Sequence, residues 1–447
     1  MILGALTLVA APFPAVQGDD ALTRQLAARC ERAVEVDSLD GLAVVVDVGG
    51  ETVLARGWGH WPGGEHVGPS SVVRAEPLFD VLAAVAALEL DEVRQLPLDA
   101  PVGEVLPGLA RGIDPGLRIA HLMDHTSGLI GWSRSLDGSA DAEPRAADLL
   151  KLVAKYGHQS APGACFGYSE SNALVLGAAI EKVTATSLAF HLENRVLKGL
   201  GLNATGFDVE RAPARPAVSS AACEVGGRLV DAPTGVHPYG RHRLCSTPEE
   251  LAALARALGR GEIVSPRAVG RMRVARRLDH GTPTPAGLGV NRVRLGELQG
   301  FSFGGSAGGT ALHVVHYPDA DLTLALVVAQ ESAALRSLGR DLARIALGRS
   351  LDPASEGVQL PADVAERVSG TFQLGCTTLL VRPDDTGAMT LEVSGARARR
   401  LLYLGALQFV DEDDRELTVR FEAGEGGAVN RMVLVEGGLR SEAVRLK

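Results

Sequence analysis

The sequence predicts an α+β protein: an antiparallel sheet flanked by helices, interrupted by an all-helical insertion and followed by a small antiparallel β-barrel. Three observations predict it. The main segment opens helix, strand, strand and closes strand, strand, helix, so one sheet draws on both of its ends. Ala- and Leu-rich stretches at helical spacing fill the middle. After a polar Pro/Gly/Ser stretch, short β-runs alternate with turn signals about every ten residues, as in a small barrel.

Each element follows in order. Ala21 to Val36 has helical spacing, and Gly41 to Gly59 is two β-rich runs around Gly49-Gly50, a hairpin pattern. Pro77 to Arg94 reads as a mostly buried helix, opened by a proline whose missing N–H costs nothing in a first turn. Asp80 falls in that first turn. Ser171 to Val183 is a second helix, and Pro248 to Leu258 a third, capped by Ser246 or Thr247 with Glu249 and Glu250 behind. Thr310 to Val328 holds two strands split around Pro318, and Ser337 to Leu347 is the closing helix. The expected division is a flexible N-terminus or vestigial signal at 1–20, a main domain at 21–350, a linker at 351–361 and a barrel at 362–447.

The chain of 447 residues, 46% of them hydrophobic, can bury a large core. A formal net charge of −10 without any basic run leaves no footprint for a phosphate backbone or an anionic membrane. Nucleic acid and membrane are therefore not expected partners. Five cysteines, Cys30, Cys165, Cys223, Cys245 and Cys376, are odd in number and far apart, so buried free thiols are expected in place of disulfides or zinc. The apolar stretch Met1 to Val16 lacks a basic start and a clean cleavage site, which favours a cytoplasmic protein over a secreted one. The Ala- and Arg-rich, Lys-poor composition suits a high-GC bacterium and a place in specialised metabolism.

Several strings carry a resemblance to a known family. Leu96 to Val102 (LPLDAPV) is followed by Val105-Leu106-Pro107, and Ile119 to Leu129 reads IAHLMDHTSGL. Pro162-Gly163 leads into Tyr168-Ser169, then Leu176-Gly177 and Ile180-Glu181; Gly199 to Leu202 precedes Thr205, and Cys245 to Leu251 reads CSTPEEL. Over residues 21 to 447 the chain resembles the class C-type β-lactamase, D-aminopeptidase and esterase family, a branch of the serine β-lactamases and penicillin-binding proteins. The resemblance implies a β-lactamase/transpeptidase-like fold with a cleft between sheet and helical region. The tail after Gly370 is similar to the small barrel that some members append.

The same resemblance shows where the motifs differ. The family's Ser-x-x-Lys opens the central helix; counting back from Pro101 puts Pro77 at the serine and Asp80 at the lysine. No shift repairs this, because none of the five lysines (Lys151, Lys155, Lys182, Lys198 and Lys447) has a serine three residues before it. Tyr-x-Asn reads Tyr168-Ser169-Glu170. The third motif falls in Gly304 to Gly309 (GGSAGG), which has neither His nor Lys but keeps glycines that allow close backbone approach.

The expected catalytic residues are Asp80, Glu170 and Tyr168, two carboxylates beside a phenol and so able to move protons. Trp132, Ser127, Gly305 and Ser306 are the expected ligand contacts. His121 and His125 have a metal-compatible spacing, but scaffold is the better reading, and no metal or cofactor is expected. Gly300 to Gly304 and Gly304 to Gly308 both match G-x-S-x-G, which matters only at a strand-to-helix elbow; here a strand follows. The leading functional expectation is a non-hydrolytic small-molecule enzyme acting on a neutral or cationic ligand. A non-catalytic binding or regulatory protein, and a hydrolase or acyltransferase with another nucleophile, stay open.

Overall fold

The computed structural model describes residues 20–36, 39, 41–61, 64, 66–132, 145–207, 222–225, 228–231, 244–279, 281–307, 309–330, 332, 334–351, 357–393, 398–412, 417–424, 426–436 and 439–446. The apolar stretch Met1 to Val16 lies outside them. The chain runs α1 (Ala21–Val36), β1 (Leu42–Val48), β2 (Glu51–Trp58), β3 (Val73–Arg74), α2 (Leu78–Glu92), α3 (Val102–Val105), α4 (Ile119–Met123), α5 (Ala146–Tyr156), α6 (Glu170–Thr184) and α7 (Leu188–His191). Then come β4 (Ala222–Val225), β5 (Arg228–Asp231), β6 (Cys245–Ser246), α8 (Pro248–Gly259), α9 (Pro266–Met272), β7 (Asn291–Leu295), β8 (Leu298–Ala307), β9 (Thr310–Tyr317), β10 (Leu322–Val328) and α10 (Ala334–Ala346). The tail is α11 (Ala362–Val368) and strands β11 (Gly370–Leu374), β12 (Thr377–Pro383), β13 (Met389–Val393), β14 (Arg399–Gly405), β15 (Gln408–Asp411), β16 (Thr418–Ala423), β17 (Val429–Glu436) and β18 (Leu439–Arg445).

One antiparallel sheet, in the order β2-β1-β10-β9-β8-β7, joins both ends of the main domain, as the helix–strand–strand opening predicts. The register sets Val45 of β1 opposite Ala55 of β2 on one side and Ala325 of β10 on the other. Side chains alternate between two cores: Ala43 and Val45 face the helical region, while Leu42, Val44 and Val46 face the layer of α1 and α10. Burial on both faces explains why β1 and β10 read as nearly continuous apolar runs instead of alternating; β9, equally buried, carries His313 and His316 among its apolar residues.

Helix α2 lies against the inner face with eleven of its fifteen residues buried, the all-round burial its Ala/Leu composition predicts. Pro77 is its N-cap residue. Of the two caps expected for α8, Thr247 is the one used, its hydroxyl accepting from the Glu250 N–H at 3.1 Å. Ser246 lies in β6 and hydrogen-bonds Thr205 instead. The helical region also carries two two-stranded ribbons, β3–β6 and β4–β5. Among the described residues no single helix is long and apolar enough to cross a membrane.

The tail closes into an eight-stranded barrel, β18 returning to β11 through Phe372 opposite Arg445. Its interior is filled by side chains such as Phe372, Phe409 and Phe421. A disulfide between Cys165 and Cys376 ties the barrel to the main domain. This corrects the expectation of free thiols for those two. Their separation of 211 positions shows no local spacing, and only docking of the barrel brings them together. Cys30 and Cys245 are buried and free, and burial pushes their thiols up to about 12 and about 11, so both are poor nucleophiles.

Candidate active site and the adjoining cavity

The crossing of β8 over the start of α2 defines the site. Gly304 and Gly305 take φ angles of +143° and +156°, conformations glycine adopts readily and other residues do not. A Cβ on Gly304 would sit 2.1 Å from the Leu312 carbonyl oxygen of β9; one on Gly305 would meet the Pro77 ring at 3.6 Å. The close approach that glycine permits is thus at Gly304, to β9, whereas a side chain at Gly305 would make only ordinary contact with Pro77. Ser306 follows them, exposed, at the end of the strand.

Asp80 lies in the first turn of α2, where the helix dipole favours a carboxylate. It is half-buried, with Oδ1 shielded from solvent, and its main-chain carbonyl lies beneath Gly289. Glu170 is the first residue of α6, whose N-cap Ser169 accepts from the Ser171 N–H. A Cβ on Gly131 would fall 2.6 Å from Glu170 Oε2, so the glycine leaves room for this carboxylate. Helices α2 and α6, which carry the two acids, pack against each other.

Tyr168 is 58% exposed, its ring 5.0 Å from that of His125. His125 has a left-handed φ of 55°, and its Nδ1 lies 3.0 Å from Asn172 Nδ2. Asn172 Oδ1 in turn accepts from the Ser127 hydroxyl, which also accepts from the Leu129 N–H. Ser127, 1% exposed, thus belongs to the frame of the turn and not to a ligand-facing surface, which corrects its expected role. Trp132 is corrected likewise: at 5% exposure it sits in the main core, its main-chain N–H donating to Ser171 Oγ at 3.0 Å.

His121 Nδ1 accepts from the Arg118 N–H at 3.1 Å, and burial lowers the pKa of its imidazole, as does nearby Arg276. Arg276 also holds the buried Asp124, whose carboxylate accepts from the Thr126 hydroxyl. The serines of both G-x-S-x-G matches, Ser302 and Ser306, lie within β8 and not at a strand-to-helix elbow, and Ser302 is buried.

Beside Gly304 to Ser306 opens a cavity of about 700 Å³, walled by Phe166, the edge strand β7, α10 and the barrel. Gly305 and Ser306, two of the expected ligand contacts, are on its lining, whereas its arginines, Arg292 among them, were not anticipated from the sequence. The paired arginines of Asn291 to Leu295 (NRVRL), two positions apart on one strand, are the signal it held.

Against known proteins, the family model described as Beta-lactamase matches residues 26–354. Esterase EstB of Burkholderia gladioli is 33% identical over 215 residues, covering 44% of this chain and 54% of the esterase. Penicillin-binding protein 4 of Amycolatopsis lactamdurans is 29% identical over 167 residues, 36% of this chain and 43% of its own length. The chain thus spans about half the length of these curated relatives. The octameric penicillin-binding protein homologue from Pyrococcus abyssi superposes with a TM-score of 0.67 at 18% identity, over 94% of this chain and 99% of that one, a likeness of fold.

Proposed function

Because the chain belongs to the beta-lactamase family yet carries Pro77 and Asp80 where the serine and lysine are expected, we propose that it works without a Ser-x-x-Lys acyl-enzyme. Proline offers no nucleophile, and a carboxylate carries the charge opposite to that of the lysine. The function proposed is that of a non-hydrolytic small-molecule enzyme in which Asp80, Glu170 and Tyr168 transfer protons, in a cyclisation, condensation, isomerisation or elimination.

The place of Pro77 supports this reading most: it opens α2 across from Gly305, whose Cβ would come to 3.6 Å of the proline ring, so the group facing β8 there has no nucleophilic atom. Two acids on packed helices favour a neutral or cationic reacting group over an anionic one. EstB is an esterase; ester hydrolysis here would need a nucleophile from another position. A second reading, ligand binding without turnover, is favoured by the cavity beside Gly304 to Ser306, which offers volume at some remove from the acids.

The deciding experiment is an untargeted metabolite comparison between a deletion strain and strains complemented with the native protein or Asp80→Asn. A compound lost on deletion, restored by the native protein and not by Asp80→Asn, supports the enzyme. Restoration by Asp80→Asn and Glu170→Gln alike removes the acid/base role.

A further inference from the structure

We propose that the cavity between the β7–β8 edge, α10 and the barrel binds an organic anion, a carboxylate or phosphate head on an apolar body. Five arginines stand on its wall: Arg292 and Arg294 from β7, Arg336 and Arg340 from α10, and Arg440 from β18. Among the described residues Glu436 is the single carboxylate there, and it already faces Arg399 at 3.2 Å and Arg336 at 4.0 Å. Arg440 is engaged with Glu442 at 2.7 Å, and Arg294 reaches the exposed Glu297 only at 4.0 Å.

Arg292 carries the argument. It is half-buried, and among the described residues its hydrogen-bond partner is the Thr284 carbonyl oxygen, at a long 3.4 Å. No described carboxylate pairs with it. Burial and the neighbouring Arg294 charge lower its pKa from the usual guanidinium value, the direction expected of a cation whose charge is poorly compensated. Withdrawing a guanidinium from water beside a second cation is unfavourable unless an anion joins them. The planar forks of Arg292 and Arg294, two residues apart on one strand, match the paired oxygens of a carboxylate or phosphate.

The rest of the wall selects the body of the ligand. Val315, Leu335 and Leu434 present apolar surface from the sheet, α10 and the barrel, and the volume suits a small organic molecule. Because the site is assembled from three parts of the chain, the barrel completes it. The inference concerns the arginine wall of a cavity that shares Gly305 and Ser306 with the candidate site, and it does not depend on the proton transfer proposed for Asp80 and Glu170.

The test is calorimetric titration of the full-length, oxidised protein with decanoate, decyl phosphate, decanol and decyltrimethylammonium. Decanoate, decyl phosphate or both should bind, and the better of the two names the head group; decanol and the cation should bind at least about tenfold more weakly. Arg292→Gln should weaken the anion at least about tenfold with the melting temperature retained. If that variant does not fold, Arg440→Ala on barrel strand β18 carries the same expectation. Equal binding of decanol or the cation, or undiminished anion binding by a folded Arg292→Gln, would overturn the proposal.

Discussion

Cys376, in the turn between β11 and β12, is covalently joined to Cys165, which stands three residues before Tyr168. The barrel is thereby fixed beside the candidate site and the arginine-lined cavity. Closing so long a loop should stabilise the fold by about 2–4 kcal/mol. Reductant or Cys376→Ser should therefore lower the melting temperature by several degrees; Cys376→Ser should no longer respond to reductant, while Cys30→Ala, which keeps the disulfide, should respond as the native protein does. Protease cutting within 351–361 should release the barrel only after reduction. Identical melting with and without reductant would dismiss the staple.

The nucleophile prediction concerns covalent labelling. With Pro77 at the start of α2, neither a fluorescent penicillin nor a fluorophosphonate should label the protein. The check is gel fluorescence with intact-mass measurement, using a labelled serine hydrolase as control. Stoichiometric labelling mapped to Ser302, Ser306 or any other serine would restore the hydrolase reading.

The position of Glu170 can be shifted without touching it. A Cβ on Gly131 would collide with the end of a flexible side chain, so Gly131→Ala should displace the Glu170 carboxylate at a stability cost below about 1 kcal/mol. Once a turnover assay exists, this variant should lose about tenfold or more in activity and keep its melting temperature. Full activity would show that the location of Glu170 does not matter.

A pH dependence follows from His316, buried on β9 with Nδ1 2.9 Å from the Thr323 hydroxyl. Burial lowers its pKa from 6.5 to about 4. Between these values the unfolded chain takes up a proton that the folded chain refuses, so stability falls as pH drops through that window. The slope approaches about 1.4 kcal/mol per pH unit and vanishes above it. Denaturant titrations should show this component, and His316→Gln should remove it. An unaltered slope in the variant would assign the acid sensitivity to other groups.

Much of the architecture is legible in the sequence because it is written in local patterns. Pro77 and Thr247 mark helix starts, Gly49-Gly50 a hairpin and the ten-residue rhythm after Gly370 a barrel, each through backbone preferences that act within a few residues. The site is less legible. Ser127 and Trp132 occur in recognisable strings, yet their burial depends on how residues 127–132 lie along α6, which no local pattern encodes. The disulfide and the arginine cavity are harder still, because their members meet only when separate segments dock.

The position of β1 between β2 and β10 has a consequence for synthesis. Val45 pairs with Ala325, so a strand apolar on both faces leaves the ribosome about 280 residues before its second neighbour exists. At roughly 5–20 residues per second, the β1–β2 hairpin waits on the order of tens of seconds with one edge open. Such an edge invites pairing with other nascent chains. The sheet cannot close during translation of the helical region, so shielding of that hairpin until β10 emerges is expected to favour productive folding.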